Sequence, residues 1–232
     1  MASGAARALL LGGLSMLLGW YVIGGEIHFY VNERSAWLVA LAVPLLAALA
    51  VSHAHGGGRA DGAGLLGLAL PLAVALLVPA RPLGSAVVDQ QASAPASSVQ
   101  SAPPLDLPPI VRLGGEGLTW DLRQLEALRV RDPEMRGLAG AKASLLGFVY
   151  RPPGLPPDQF FVARFMVRCC AADATAVRVP IRYDGAAGLA PDTWVEVEGT
   201  IDYGRTPDGP GPLVEASSVR SVPQPNRPYL YP

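Results

Sequence analysis

Residues 8–25, 35–58 and 62–80 contain no Asp, Glu, Lys or Arg, and these windows of 18, 24 and 19 residues restrict the fold more than any other feature. A hydrocarbon core about 30 Å thick is crossed by roughly 20 apolar helical residues, and a charge near its centre costs at least ~2.5 kcal/mol. Each window is long enough to cross. The charges of this region, Arg7, Glu26, Glu33, Arg34, Arg59 and Asp61, fall only between the windows or outside them. Six charges lie in the first 80 residues and 29 from residue 105 onward, so the two parts of the chain are suited to different solvents. The pattern predicts a membrane-helical region over 1–83, with transmembrane helices at about 8–25, 35–55 and 63–80, followed by a water-soluble domain.

Two other readings of the windows fit less well. Arg7 ahead of a Leu- and Gly-rich run resembles a signal peptide, but Gly24-Gly25-Glu26 is a poor cleavage site and two further apolar windows follow at once. A buried helical hairpin of a soluble protein would leave three such windows with too little surface for water. Pro44 and Pro71 lie inside the second and third windows, where a soluble helix would lose about 3 kcal/mol for each. In a membrane bundle, neighbouring helices can satisfy the carbonyls that proline frees. Gly12, Gly13 and Gly19, with Gly64 and Gly67, permit close helix contacts.

With three crossings, the N-terminus and the Arg59 loop share one side, and the Arg34 loop shares the other with everything after Arg81. Arg7, Arg59 and the amino terminus make the first side the more basic, so it is expected in the cytoplasm and the C-terminal domain outside. Arg outnumbers Lys 17 to 1, a usage typical of a high-GC bacterial genome, and the expected location is a bacterial cell membrane.

Residues 84–104 are rich in Ser, Ala, Gln and Pro with one charge, which predicts a linker. The soluble domain is expected over 105–232. Leu122, Leu125 and Leu128 recur at helical spacing behind a cap at Thr119 or Asp121. After Asp132-Pro133 the period changes to two, giving strands at 142–151, 159–168, 176–183, 193–203 and 212–219 between Pro- and Gly-rich breaks. A short helix and five strands suit a small all-β, OB-like five-stranded barrel. Val195, Val197, Gly199 and Ile201 are read as one face of a strand, with Gly199 allowing it to bend. Phe161, Ala163, Phe165 and Val167 are read as one face of the second strand, opposite Arg164, Met166 and Arg168. Val177, Val179, Ile181 and Tyr183 are read as facing inward on the third, with Arg178 and Arg182 outward.

Four arginines on one sheet face could form an anion groove. Residues 105–232 hold 14 basic and 15 acidic groups, however, so nucleic acid is not an expected partner, and pairing with Glu196 and Glu198 is preferred.

Cys169 and Cys170 are the only cysteines, and Asp173 follows them. Adjacent strand residues point to opposite faces, so two thiolates reach one metal only if the strand breaks, as Ala171-Ala172-Asp173 would allow. Otherwise one cysteine is a small core residue and the other lies near the surface, and Asp173 is a turn residue. His53 and His55 form an H-x-H pair in the second loop, a weak candidate because two ligands make a poor site. Catalytic motifs of the nucleotide-loop, nucleophile-elbow and zinc-protease types are lacking, and the chain is not expected to be an enzyme.

HFYVNERSAWL after the first span, VPARPLGSAVV after the third, GFVYRPPG, FFVARFMVRCCAADA, VPIRYD, DTWVEVEGTI and the tail PNRPYLY together resemble the YcgQ-like family of bacterial permease subunits. The resemblance implies a partner, a multi-span permease in the same lipid bilayer, and a role in small-molecule or metal transport. Relatives carry a His-rich second loop of which only His53 and His55 remain here, which weakens a metal-storage role for it. Cys170 and Asp173 fall on the family's Cys and acidic positions, and the position of Cys169 holds His elsewhere. Zinc or copper ligation tolerates that exchange. The expected function is an accessory permease subunit whose OB-like domain captures or gates a substrate, with a divalent metal such as zinc as candidate cargo. A membrane-anchored sensing or protein-binding module is the alternative, and a thiol oxidoreductase comes third.

Overall fold

The computed structural model describes residues 2–55, 62–78, 80–93, 119–131, 136–206 and 209–231, which form two compact units. The first comprises Met1–Pro82 with Cys169–Ala171, and the second Leu83–Arg168 with Ala172–Pro232.

In the first unit, α1 (Ala2–Gly24) and α2 (Glu33–His55) are each 23 residues long and apolar enough to cross a membrane. Gly25 ends α1 in the left-handed region at φ 78°, a conformation that costs a residue without Cβ little. The small residues of α1 sit at helix contacts, Gly12 and Gly19 beside Ala50 and Val43 of α2. The Ser15 hydroxyl donates to the Val43 carbonyl at 2.9 Å. Gly13 faces Leu72 of α3 (Gly62–Leu77), and Pro44 and Pro71 are accommodated inside α2 and α3. Large apolar side chains such as Leu9, Met16, Trp20, Leu41, Leu45 and Leu70 point outward.

The third window yields a shorter helix than expected. α3 has 16 residues, about 24 Å at 1.5 Å per residue, against the roughly 30 Å of a hydrocarbon core. The shortfall has a local cause, because Val78 precedes Pro79 and a residue before proline is pushed out of the α region. The connection between α1 and α2 pairs with the remaining part of this unit. Val31 bridges Cys170 in antiparallel sense, Asn32 N–H donates to the Cys169 carbonyl at 2.9 Å, and Ala171 N–H donates to the Tyr30 carbonyl at 2.8 Å.

The second unit is built on β2 (Lys142–Tyr150), β3 (Gln159–Met166), β4 (Thr175–Arg182), β5 (Trp194–Thr206) and β6 (Gly209–Ser221), close to the five expected strands. Their pairing runs β2, β3, β4, β6, β5 and returns to β2, with β4 and β6 parallel and the other neighbours antiparallel. A two-residue strand, β1 (Thr119–Trp120), adds in parallel to β2. The register of β5 on β6 shifts between Glu198 and Gly199, and a Cβ on Gly199 would lie 2.2 Å from the Glu215 carbonyl oxygen. Here glycine is required by the close approach of two backbones.

The helix α5 (Leu122–Arg131) is capped at Asp121, as read from the sequence. The Asp121 carboxylate accepts from Gln124 N–H at 2.8 Å, and the Gln124 side chain accepts from Asp121 N–H at 2.9 Å, a reciprocal capping box. Leu122 and Leu125 enter the central core with Leu145, Val149, Val177, Ile181, Val195, Val197 and Ile201. The expected inward faces of β4 and β5 are therefore found.

The four β3 residues read as one face do share it, but that face is not the one toward the central core, and neither face of the strand is left open. Phe160, Val162 and Met166 fill the central core, whereas Phe161, Ala163, Phe165 and Val167 belong to a second core with Phe148, Tyr150, Trp194 and Val88. The strand is buried on both faces because two distant segments cover its other side. One is α4 (Ser85–Ser93), formed inside the stretch expected to be a linker. Val88 of α4 is 2% exposed in the second core, Asp89 accepts from the Tyr150 hydroxyl at 2.8 Å, and the Gln91 amide donates to the Ala174 carbonyl and accepts from Ala176 N–H. Asp192 caps the helix, accepting from Ser85 N–H at 2.6 Å and from its hydroxyl at 2.9 Å. Negative charge at a helix N-terminus is favoured by the unpaired N–H groups there. Residues 84–93 are thus part of the folded unit, while 94–104 lie outside the described residues.

The other covering segment is the C-terminal tail. Leu230 pairs with β3, its N–H donating to Phe165 and its carbonyl accepting from Val167, and the Tyr229 hydroxyl accepts from Leu83 N–H at 3.0 Å.

Candidate metal centre

β3 stops at Met166, and its chain turns through a 3-10 segment at Ala171–Asp173 before β4 begins at Thr175. The strand break that two neighbouring cysteines need in order to face one ion is therefore present. One ligand atom from each of Cys169, Cys170 and Asp173 lies within 4.8 Å of the others. A tetrahedral zinc with bonds of about 2.3 Å to sulfur holds two sulfurs about 3.8 Å apart, a contraction that side-chain rotation supplies. Cys169 is exposed and Cys170 half-buried, and the two are not disulfide-bonded. Asp173 is oriented by the backbone, its Oδ1 accepting from Arg168 N–H at 2.8 Å.

His53 and His55 do not join this group or each other. They lie in the last turn of α2, where residues two apart project to nearly opposite sides, and His55 Nδ1 is already within 2.8 Å of the Val51 carbonyl oxygen. The H-x-H spacing would suit one ion in extended chain, but on a helix it separates the two rings.

The expected arginine face also resolves into separate structural roles. Arg164 donates to the carbonyls of Arg227, Pro228 and Tyr229 at 2.7, 3.0 and 3.4 Å and lies 5.6 Å from the Trp194 ring centre. Burial pushes its guanidinium below the usual arginine range, opposed by the charges of Tyr231 and Asp121. Arg178 stacks on Phe161 at 5.0 Å, and Arg182 pairs with Glu215 and Asp158. The arginine that pairs with Glu196 is Arg220 of β6, a partner the strand-by-strand reading missed. The signal was present, since β6 is antiparallel to β5 and sets Arg220 directly opposite Glu196. The tail clamp gave no sequence signal, because its acceptors are backbone carbonyls some 63 residues away.

The molecule is thus defined as a pair of long apolar helices, with a shorter third, joined to a small sheet domain that carries a two-cysteine, one-carboxylate cluster. Residues 125–232 match the family described as the DUF1980 C-terminal domain. Over 87 residues the chain is 25% identical to the UPF0703 protein YcgQ of Bacillus subtilis (strain 168), covering 37% of this chain and 30% of that protein. Both findings agree with the resemblance to YcgQ-like proteins read from the sequence.

Proposed function

We propose that the protein is an accessory subunit of a membrane permease whose sheet domain, an OB-like barrel, captures a divalent metal through Cys169, Cys170 and Asp173. The convergence of two sulfurs and a carboxylate oxygen within 4.8 Å carries the metal part of this reading. Thiolates favour zinc and its soft neighbours, whereas magnesium and calcium take oxygen ligands. Five strands pairing in a closed circuit suit the OB description.

The apolar, outward-facing side chains of α1 and α2 support placement in a bilayer, with α3 as a shorter third pass. The slight excess of basic residues on the N-terminal side favours an extracytoplasmic sheet domain. The uncharged windows suit an anchor and docking surface better than a conducting path. The YcgQ-like resemblance is what points to a multi-span permease as the partner.

Crosslinking in the native membrane tests the partnership, and recovery of the chain without any multi-span protein refutes it. Zinc titration of the purified full chain tests the site. Stoichiometric binding lost in Cys170→Ser is the expected result, and no binding reduces the domain to a docking module.

A further inference from the structure

We infer that the centre at Cys169, Cys170 and Asp173 holds its ion with one coordination position open, so that a thiophilic divalent cation is exchanged there as cargo with an incoming nitrogen or sulfur donor. This rests on the metal reading above and specifies how the site would work.

The first ground is the source of the ligands. All three come from a five-residue stretch, Cys169 to Asp173, and donors so close in sequence would hold an ion from one side. A tetrahedral ion held from one side presents its fourth position outward. Structural zinc sites close with four protein donors, and sites that react or exchange keep a position for an outside ligand.

Exposure is the second ground. Cys169 is exposed, and Cys170 and Asp173 are half-buried, so an incoming donor has access to the ion. The third is restraint of the carboxylate. The Arg168 N–H holds Asp173 in place at 2.8 Å, as outer hydrogen bonds do for metal-binding carboxylates, so the triad can stay assembled while the fourth ligand changes.

The donor set also selects the cargo. Two thiolates favour zinc, cobalt or copper over magnesium and calcium. Each thiol releases its proton as the ion binds, so two thiolates and a carboxylate around a dication carry one net negative charge. A neutral imidazole adds no further charge, which makes it a suitable fourth donor. Transfer to a richer donor set would then proceed by stepwise ligand exchange, with no change in oxidation state.

The test uses Co2+ as probe, added to the reduced full-length chain in detergent. Thiolate-to-cobalt charge-transfer absorption saturating at one ion per chain is expected. Adding imidazole should then shift the cobalt ligand-field bands while leaving the charge-transfer bands in place. Bands that appear but do not respond to imidazole mean a closed four-donor site and overturn this inference while the metal reading stands. Absence of charge-transfer bands overturns the metal reading itself. Asp173→Asn keeps an oxygen acceptor for Arg168 N–H, so it should fold normally by circular dichroism while binding Co2+ at least about tenfold more weakly. Unchanged affinity in that variant removes Asp173 from the ligand set and overturns the three-donor assignment.

Discussion

Helix α4 gives the sharpest test of the architecture, because its sequence reads as a linker. Val88→Ala removes two methyl groups from a side chain that is 2% exposed among Phe148, Tyr150, Phe161 and Phe165. At about 0.8 kcal/mol per methyl, with a further term for the cavity left behind, the loss should be about 2 kcal/mol. Gln91→Ala leaves the Ala174 carbonyl and the Ala176 N–H without their protein partner, a loss of about 1–2 kcal/mol. Gln90→Ala on the exposed side of the same helix is the control and should change stability by less than about 0.5 kcal/mol. The assay is urea unfolding of a fragment spanning 83–232, followed by the fluorescence of its two tryptophans, Trp120 and Trp194, the latter a member of the second core. With a slope of about 2 kcal/mol per molar, Val88→Ala should lower the midpoint by about 1 M. If Val88→Ala and Gln91→Ala both unfold at the midpoint of Gln90→Ala, α4 does not cover the sheet, and the reasoning is wrong.

Other outcomes follow from the same contacts. Arg164→Ala should release the tail and speed chymotryptic cleavage after Tyr229, and Arg164→Lys should not restore protection, since one ammonium cannot span three carbonyls with a fixed fork. Gly199→Ala should destabilise the domain by about 3 kcal/mol in the same unfolding assay, because its Cβ meets backbone that cannot rotate away. Asp192→Ala should cost about 2 kcal/mol in thermal or urea unfolding, from loss of the α4 cap and from placing alanine at φ 64°. Asp192→Asn should retain more than half of that stability, since asparagine keeps an acceptor and tolerates the left-handed region.

The parts of the fold that were legible in the sequence depend on neighbours along the chain. Asp121 and Gln124 cap α5 across three residues, and the alternation of Val195, Val197 and Ile201 marks the inner face of β5 without reference to anything else. The parts that were not legible depend on distant partners. Arg164, Met166 and Arg168 give one face of β3 a polar pattern, yet Phe160, Val162 and Met166 carry that face into the central core while tail and helix cover the Phe161 face. Ser85–Ser93 has little amphipathic pattern, and its docking comes from one valine, one glutamine and a cap supplied by Asp192. The candidate centre was half legible. Cys169, Cys170 and Asp173 were visible as residue types, but their convergence required the turn after β3. His53 and His55 looked like a chelating pair only while their backbone was taken for a loop.

Hydrogen bonds from Leu83 and Ser85 to partners 146 and 107 residues further along tie α4 to the body of its unit. The described segments on either side of residues 94–118, α4 and β1, therefore belong to one folding unit. A single cut between residues 94 and 118 would break the polypeptide without separating the pieces. The short piece, still continuous with the apolar helices, would keep hold of the long one as in a fragment-complementation pair. Cleavage there would be visible under denaturing electrophoresis and silent in a membrane-retention assay.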